Sequence, residues 1–126
     1  MYQSLTIFQT AASMAKHAGA RQAVIAQNVA NADTPGYQAR ALPSFSQTYQ
    51  AGPTADMQIT RGGHLRATQT TSSRDVINQA EPAPNGNAVS VEEEMMNAVG
   101  VSREHNRALT IYRHAMTVLR TSLGRQ

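Results

Sequence analysis

The sequence predicts a mainly α protein: long N- and C-terminal helices packed as a coiled-coil-like hairpin, joined by an extended, partly β middle segment. Three observations carry this prediction. Apolar and small residues recur in steps of three and four from Leu5 to Val29. A heptad-like stripe then runs from Val91 to Leu123. All five prolines (Pro35, Pro43, Pro53, Pro82 and Pro84) fall between those two stretches, and a helix interior excludes proline at a cost of about 3 kcal/mol. The chain therefore divides into an N-terminal helix over 1–32, an arm over 33–89 and a C-terminal helix over 90–126, within one domain.

In the first helix one row steps through Leu5, Phe8, Ala12, Ala15 and Gly19, is interrupted at Gln22, and resumes at Ala26 and Val29. A neighbouring row adds Ile7, Ala11, Met14, Ala18 and Ile25. Together they form a wide apolar face on a helix of roughly 28 residues, about 42 Å long. Most of these side chains are small, which lets a second helix approach closely. The helix ends in NVANADTPGYQAR, residues 28–40. Thr34 precedes a proline and is steered away from helical backbone angles. Pro35 presets φ for a turn, and Gly36 can take the positive φ that a type II turn requires. Asn28 and Asn31 lie about one helical turn apart, where their amides can bond the backbone of the emerging loop or of a neighbour.

The middle segment is rich in Thr, Ser, Gln and Gly, and Met57–Thr60 and Leu65–Thr71 alternate well enough to suggest short strands. A structureless stretch of this length is unusual inside a compact domain, so an arm lying on neighbouring molecules is expected. The second helix opens at Ser90, with Glu93 three residues on in a capping-box pattern. Glu92, Glu93 and Glu94 sit at its positive end and Arg113 and Arg120 towards its negative end. Its seam steps through Val91, Met95, Ala98, Ser102 and His105, then Leu109, Tyr112, Met116, Leu119 and Leu123. Gly124 follows as a stop signal.

Composition narrows the function. Leu, Ile, Val and Phe together number only 21 of 126 residues, below what a typical packed domain carries. Net charge is +3, far from the high-charge signature of disorder. A chain in this middle ground orders its helices and relies on neighbouring subunits to bury more surface. Its ten Arg and one Lys are scattered, with few aromatics among them, so a nucleic-acid footprint is not indicated. Cysteine is absent, which excludes disulfides and thiolate metal sites. No stretch reaches the length of a membrane span. The N-terminus lacks a secretory signal's basic start and continuous apolar centre, so no cleavage is expected at Ala18-Gly19-Ala20.

Candidate catalytic and metal constellations resolve into structural ones. His105 and His114 are nine apart and fall on opposite helix faces, unlike an i, i+4 metal pair. Arg61-Gly62-Gly63-His64 has no following Lys-Ser/Thr and reads as a turn rather than a phosphate loop. No serine sits in a G-x-S-x-G elbow. No catalytic, cofactor-binding or metal residue is assigned.

Asn28, Asn31, Thr34, Gly36 and Tyr37, with Pro35 between them, resemble the signature of the bacterial flagellar rod and hook family. In that family a long N-terminal helix ends in Asn-x-x-Asn-x-x-Thr-x-Gly-Tyr. Asn85-Gly86-Asn87-x-Val89, leading into Glu92–Met95 and the C-terminal helix, is a second matching region. The resemblance implies a structural subunit of the basal-body rod, whose terminal helices pack together and against neighbours in a torque-transmitting axial structure of the periplasm. Leu5, Phe8, Val29, Leu109, Tyr112, Met116, Leu119 and Leu123 would then be helix-packing positions. The resemblance also implies export through the flagellar type III apparatus behind an uncleaved N-terminal signal. The implied partners are other copies of the chain, other rod proteins, and a FliE-like adaptor joining the rod to the membrane ring; no cofactor is implied. Within the family the choice among rod subunits stays open. Outside it, the rivals are a helical nucleic-acid binder, which would need a clustered basic groove, and a soluble enzyme, which would need a convergent polar pocket.

Overall fold

The computed structural model describes residues 2–50, 76–77 and 82–124, except for the side chains of residues 2–5 and 76–77. Among the described residues the elements are, in order, α1 (Tyr2–Ala30), β1 (Arg40–Ala41), α2 (Phe45–Gln50), β2 (Val76–Ile77) and α3 (Val91–Ser122). The two terminal helices are long and pack against each other, so the fold is mainly helical. Three cross-pairs fix their antiparallel course. Phe8 meets Tyr112 edge to face at 5.2 Å, Arg21 bonds Glu104 at 2.7 Å, and Asn28 bonds Glu94 at 3.0 Å.

Buried residues recur every seven positions along the line of contact, Ala11, Ala18 and Ile25 on α1 and Glu94, Val101 and Ala108 on α3, with Asn28 added at the end of α1. Ala18, Ile25 and Val101 form the core cluster, with Ala98 packed beside it. Small side chains make this a close, low-volume seam. Each buried methylene-sized group contributes about 0.8 kcal/mol, so alanines stabilise the hairpin only modestly. Arg21–Glu104 adds an interhelical ion pair at the border of the seam.

The contact line is rotated from the rows read in the sequence. On α1 it follows the neighbouring row (Ala11, Ala18, Ile25), while Ala12, Gly19, Ala26 and Val29 are exposed. Of the eight positions assigned to helix packing, Phe8, Leu109, Met116 and Leu119 are half-buried, and Val29, Tyr112 and Leu123 are exposed, Leu123 by 80%. The Leu5 side chain lies outside the described residues. On α3 the buried residues stand one position before Met95, Ser102 and Leu109. Alanine on either side of α1 allows both rotations, and the polar contacts at one end select between them.

Helix ends follow local chemistry. Ser90 Oγ accepts a hydrogen bond from the Glu93 N–H at 3.4 Å, so α3 is capped at its acidic first turn. Gly124 has φ +69 just beyond the helix, where its N–H bonds the Thr121 carbonyl. The middle segment contains a helix that the proline- and Ser/Thr-rich composition obscured. In α2, Ser44 Oγ accepts from the Gln47 N–H at 3.4 Å and Gln47 Oε1 accepts from the Ser44 N–H at 3.2 Å, a reciprocal capping box. β1 and β2 form a two-residue antiparallel ladder, Arg40 opposite Ile77 and Ala41 opposite Val76. The expected strands Met57–Thr60 and Leu65–Thr71 lie outside the described residues. No helix among the described residues is long and apolar enough to cross a membrane.

Candidate functional site: the joint between the two long helices

The sequence motif after α1 folds into a joint that receives the chain where it returns to α3. Past Ala30 the helix tightens: Ala32 N–H bonds the Val29 carbonyl and Thr34 N–H the Asn31 carbonyl, both three-residue steps. Thr34-Pro35-Gly36-Tyr37 then forms a turn closed by Tyr37 N–H to the Thr34 carbonyl at 3.3 Å. Gly36 has φ +72, the sign a type II turn requires at its third residue. On the returning strand of chain, Ala83-Pro84-Asn85-Gly86 closes with Gly86 N–H to the Ala83 carbonyl at 2.7 Å. Gly86 has φ +79.

The two turns lie against each other. Gly36 N–H donates to the Asn85 carbonyl at 3.2 Å, and a Cβ on Gly86 would stand 3.3 Å from Gly36 Cα. Any side chain at Gly86 would push the turns apart. Asn87 then ties three segments together. Its Nδ2 donates to the carbonyls of Asn31 (2.9 Å) and Thr34 (2.7 Å), while its Oδ1 accepts from the Val89 N–H at 2.7 Å. Ala88 N–H reaches the Tyr37 carbonyl at 3.0 Å. Two carbonyls just past α1, each already bonded by a turn N–H, thus gain a second bond from a side chain 56 and 53 residues further on.

Asn28 is the second knot, and it is 0% exposed. Its Nδ2 donates to the Arg40 carbonyl (2.7 Å) and to Glu94 Oε1 (3.0 Å). Its Oδ1 accepts from the Arg40 N–H (3.0 Å) and the Tyr37 hydroxyl (3.3 Å). All four bonding positions of the amide are used. Asn31 is more peripheral: its Nδ2 donates to the Gln27 carbonyl, and its Oδ1 accepts from Thr34 Oγ1. Pro35 is exposed and shapes the turn through its ring. The structure therefore brings Asn28, Asn31, Thr34, Pro35, Gly36 and Tyr37 into one place, together with Asn85, Gly86 and Asn87.

Glu94 is the residue that periodicity could not find. It enters the joint from α3 and is 5% exposed, with Oε2 unpartnered and Oε1 bonded to Asn28. Burial pushes its carboxyl above the ordinary range; the Asn28 bond partly offsets this, and the neighbouring Glu93 charge adds to it. A glutamate in the first turn ordinarily signals only a favourable dipole contact, so its burial is visible only once Asn28 is in place. The joint has hydrogen bonds in place of metal ligands: no group of three or more His, Cys, Asp or Glu able to hold a metal occurs among the described residues.

Residues 8–38, which end in this joint, match the family model described as "Flagella basal body rod protein". The chain is also 30% identical over 112 residues to the "Flagellar basal body rod protein FlgB" of Agrobacterium fabrum (strain C58 / ATCC 33970), covering 82% of each chain. It belongs to the flagellar basal body rod protein family. A second rod protein of the same name, from Yersinia enterocolitica, is 30% identical over 101 residues, covering 72% of this chain and 74% of the relative. The rod-family match spans the whole of the polar motif and most of α1, so the part of the chain the family model recognises is the half of the joint built by α1.

Proposed function

We propose that this chain is a structural subunit of the bacterial flagellar basal-body rod, assembling through its terminal helices into the torque-transmitting axis and catalysing no reaction. Family membership supports the rod, and the structure supports the mode of assembly. The observation that carries it is the unused half of the helix faces. Met95, Met96 and Val99 are exposed on α3, with Ile7 and Val29 on α1. On one flank a groove of about 250 Å³ runs between Gly19 and Gln22 of α1 and Ser102 and His105 of α3, floored by Ala18 and Val101. An apolar surface of this kind on a hairpin with an alanine seam suits helices from neighbouring subunits. The joint would hold the two helices in fixed register.

The proposed partners are other copies of the chain, other rod proteins, and a FliE-like adaptor linking the rod to the membrane ring, after delivery by the flagellar type III export apparatus. The arginines are scattered along the sequence, which does not favour nucleic acid as a partner. The test is complementation of a strain lacking the corresponding rod gene. Met95→Lys combined with Met96→Lys, at sites exposed in the hairpin, should leave the helical content of the purified chain unchanged and abolish swimming. Normal swimming halos and complete basal bodies from that double variant would refute assembly through this face. Failure of the unaltered chain to complement would instead refute the rod assignment for that strain.

A further inference from the structure

The contact that seats α2 on the first helix has chemistry that the joint and the rod assignment leave unused. His17 is 5% exposed on α1. Phe45 of α2 packs its ring edge to face on the imidazole at 5.7 Å, and Thr48 Oγ1 lies 3.5 Å from Nε2. Thr48 gives its own proton to the Ser44 carbonyl, at 3.1 Å. With that proton so placed Thr48 accepts from His17, which assigns the ring proton to Nε2 and the lone pair to Nδ1. Nδ1 is buried with no partner. A second proton must go there, and it would create a charged, sealed N–H with nothing to bond.

We propose that α2 is an acid-released clasp, which stays seated on α1 while His17 is neutral and lifts when His17 takes a second proton, uncovering that flank of α1. The surrounding charges agree. From α1, Arg21 opposes a second positive charge, and from α3, Glu104 favours one but is already bonded to Arg21 at 2.7 Å. From α2, Phe45 and Thr48 carry no charge, and the Tyr49 ring lies on Phe45 at 5.7 Å. Burial first, and Arg21 second, hold His17 below its ordinary 6.5. The sign follows from linkage: with the docked value depressed, docking is at full strength above about pH 6.5. It then weakens about tenfold per pH unit as pH falls towards the docked value. α2 has no buried residue of its own and is only six residues long, so little else holds it down.

The experiment uses the full chain at a concentration that saturates its helical signal. Amide exchange is followed at residues 45–50 between pH 7.5 and 5, after correction for intrinsic exchange, with imidazole ¹⁵N shifts recorded in parallel. Expected are an Nε2–H tautomer at pH 7.5 and a roughly tenfold loss of protection per pH unit below about 6.5, with Val101 and Ala108 amides unchanged. His17→Phe should keep α2 docked and remove the pH dependence. Phe45→Ala, which leaves α1 and α3 intact, should free α2 at every pH and return His17 to an ordinary titration. The proposal is overturned by protection at residues 45–50 that is the same at both pH extremes. It is equally overturned by an unchanged pH dependence in His17→Phe, or by a His17 titration in Phe45→Ala that matches the unaltered chain.

Discussion

The joint and the shaft of the hairpin are built on opposite terms. At the joint, Asn28 uses all four of its bonding positions and Asn87 serves three segments at once, so each residue has one place it can be. Along the shaft, alanines meet across a shallow seam, and the same helices keep a second apolar row facing outward. Polar knots specify a geometry because a displaced partner leaves a buried group unsatisfied. Alanine seams specify little, since one row of small residues packs about as well as the next. This division lets the joint set the register while the shaft stays adaptable.

Breaking the joint should therefore cost more than altering the shaft, and Asn28→Leu should have the largest effect. It keeps the branched outline of the side chain but is larger, and it removes the amide that bonds the Arg40 backbone, the Tyr37 hydroxyl and Glu94 Oε1. At about 1–3 kcal/mol for each group left unsatisfied, the loss reaches several kcal/mol, a large part of a small domain's stability. Ala108→Gly on the shaft should cost about 1 kcal/mol. Thermal melts of the two variants measure the comparison, and equal losses would mean that the joint is no more demanding than the seam.

The two glycines sharpen the comparison within the joint. Gly36→Ala and Gly86→Ala both force an L side chain into left-handed backbone, at about 1–2 kcal/mol. Gly86→Ala must also separate the turns, because its Cβ would lie 3.3 Å from Gly36 Cα, whereas a Cβ at Gly36 meets open space. The Gly86 variant should melt lower than the Gly36 variant and swim less far in complementation. The reverse order would show that the close approach of the turns does not matter.

Much of this architecture was legible in the sequence, for reasons that separate its parts. Period and caps marked the two long helices, because Ser90, Gly124 and the Thr34-Pro35 pair each act over a few residues of backbone. The left-handed Gly36 followed from its place after proline. The rotation of the seam was not legible, since Ala11 and Ala12 are equally good contacts until Asn28 pulls Glu94 inward. Glu94 itself reads as a surface charge in any hydrophobic pattern. The helix at Phe45–Gln50 was masked by its polar composition, although Ser44 and Gln47 stood at capping-box spacing. Contacts between residues 28 and 94 or 31 and 87 belong to tertiary structure, and no local rule announces them.

Glu94 gives the smallest effect and the one most specific to the joint. Its carboxyl is raised above the ordinary 4.5 chiefly by burial, so the folded chain binds that proton more tightly than the unfolded chain. Stability from this group is complete below about pH 4.5 and is lost as pH rises through the shifted value. Glu94→Gln keeps an oxygen for Asn28 Nδ2 and removes the charge. It should therefore be more stable than the unaltered chain at pH 7, by about 1 kcal/mol on the scale of an unsatisfied buried group, and no more stable at pH 4. His17, lowered by burial, contributes the opposite slope, but it is present in both proteins, so the difference between their melting temperatures isolates residue 94. A Gln variant less stable than the parent at pH 7 would show that the free Oε2 makes a favourable contact as a carboxylate. The joint would then favour a carboxylate over a neutral amide at residue 94.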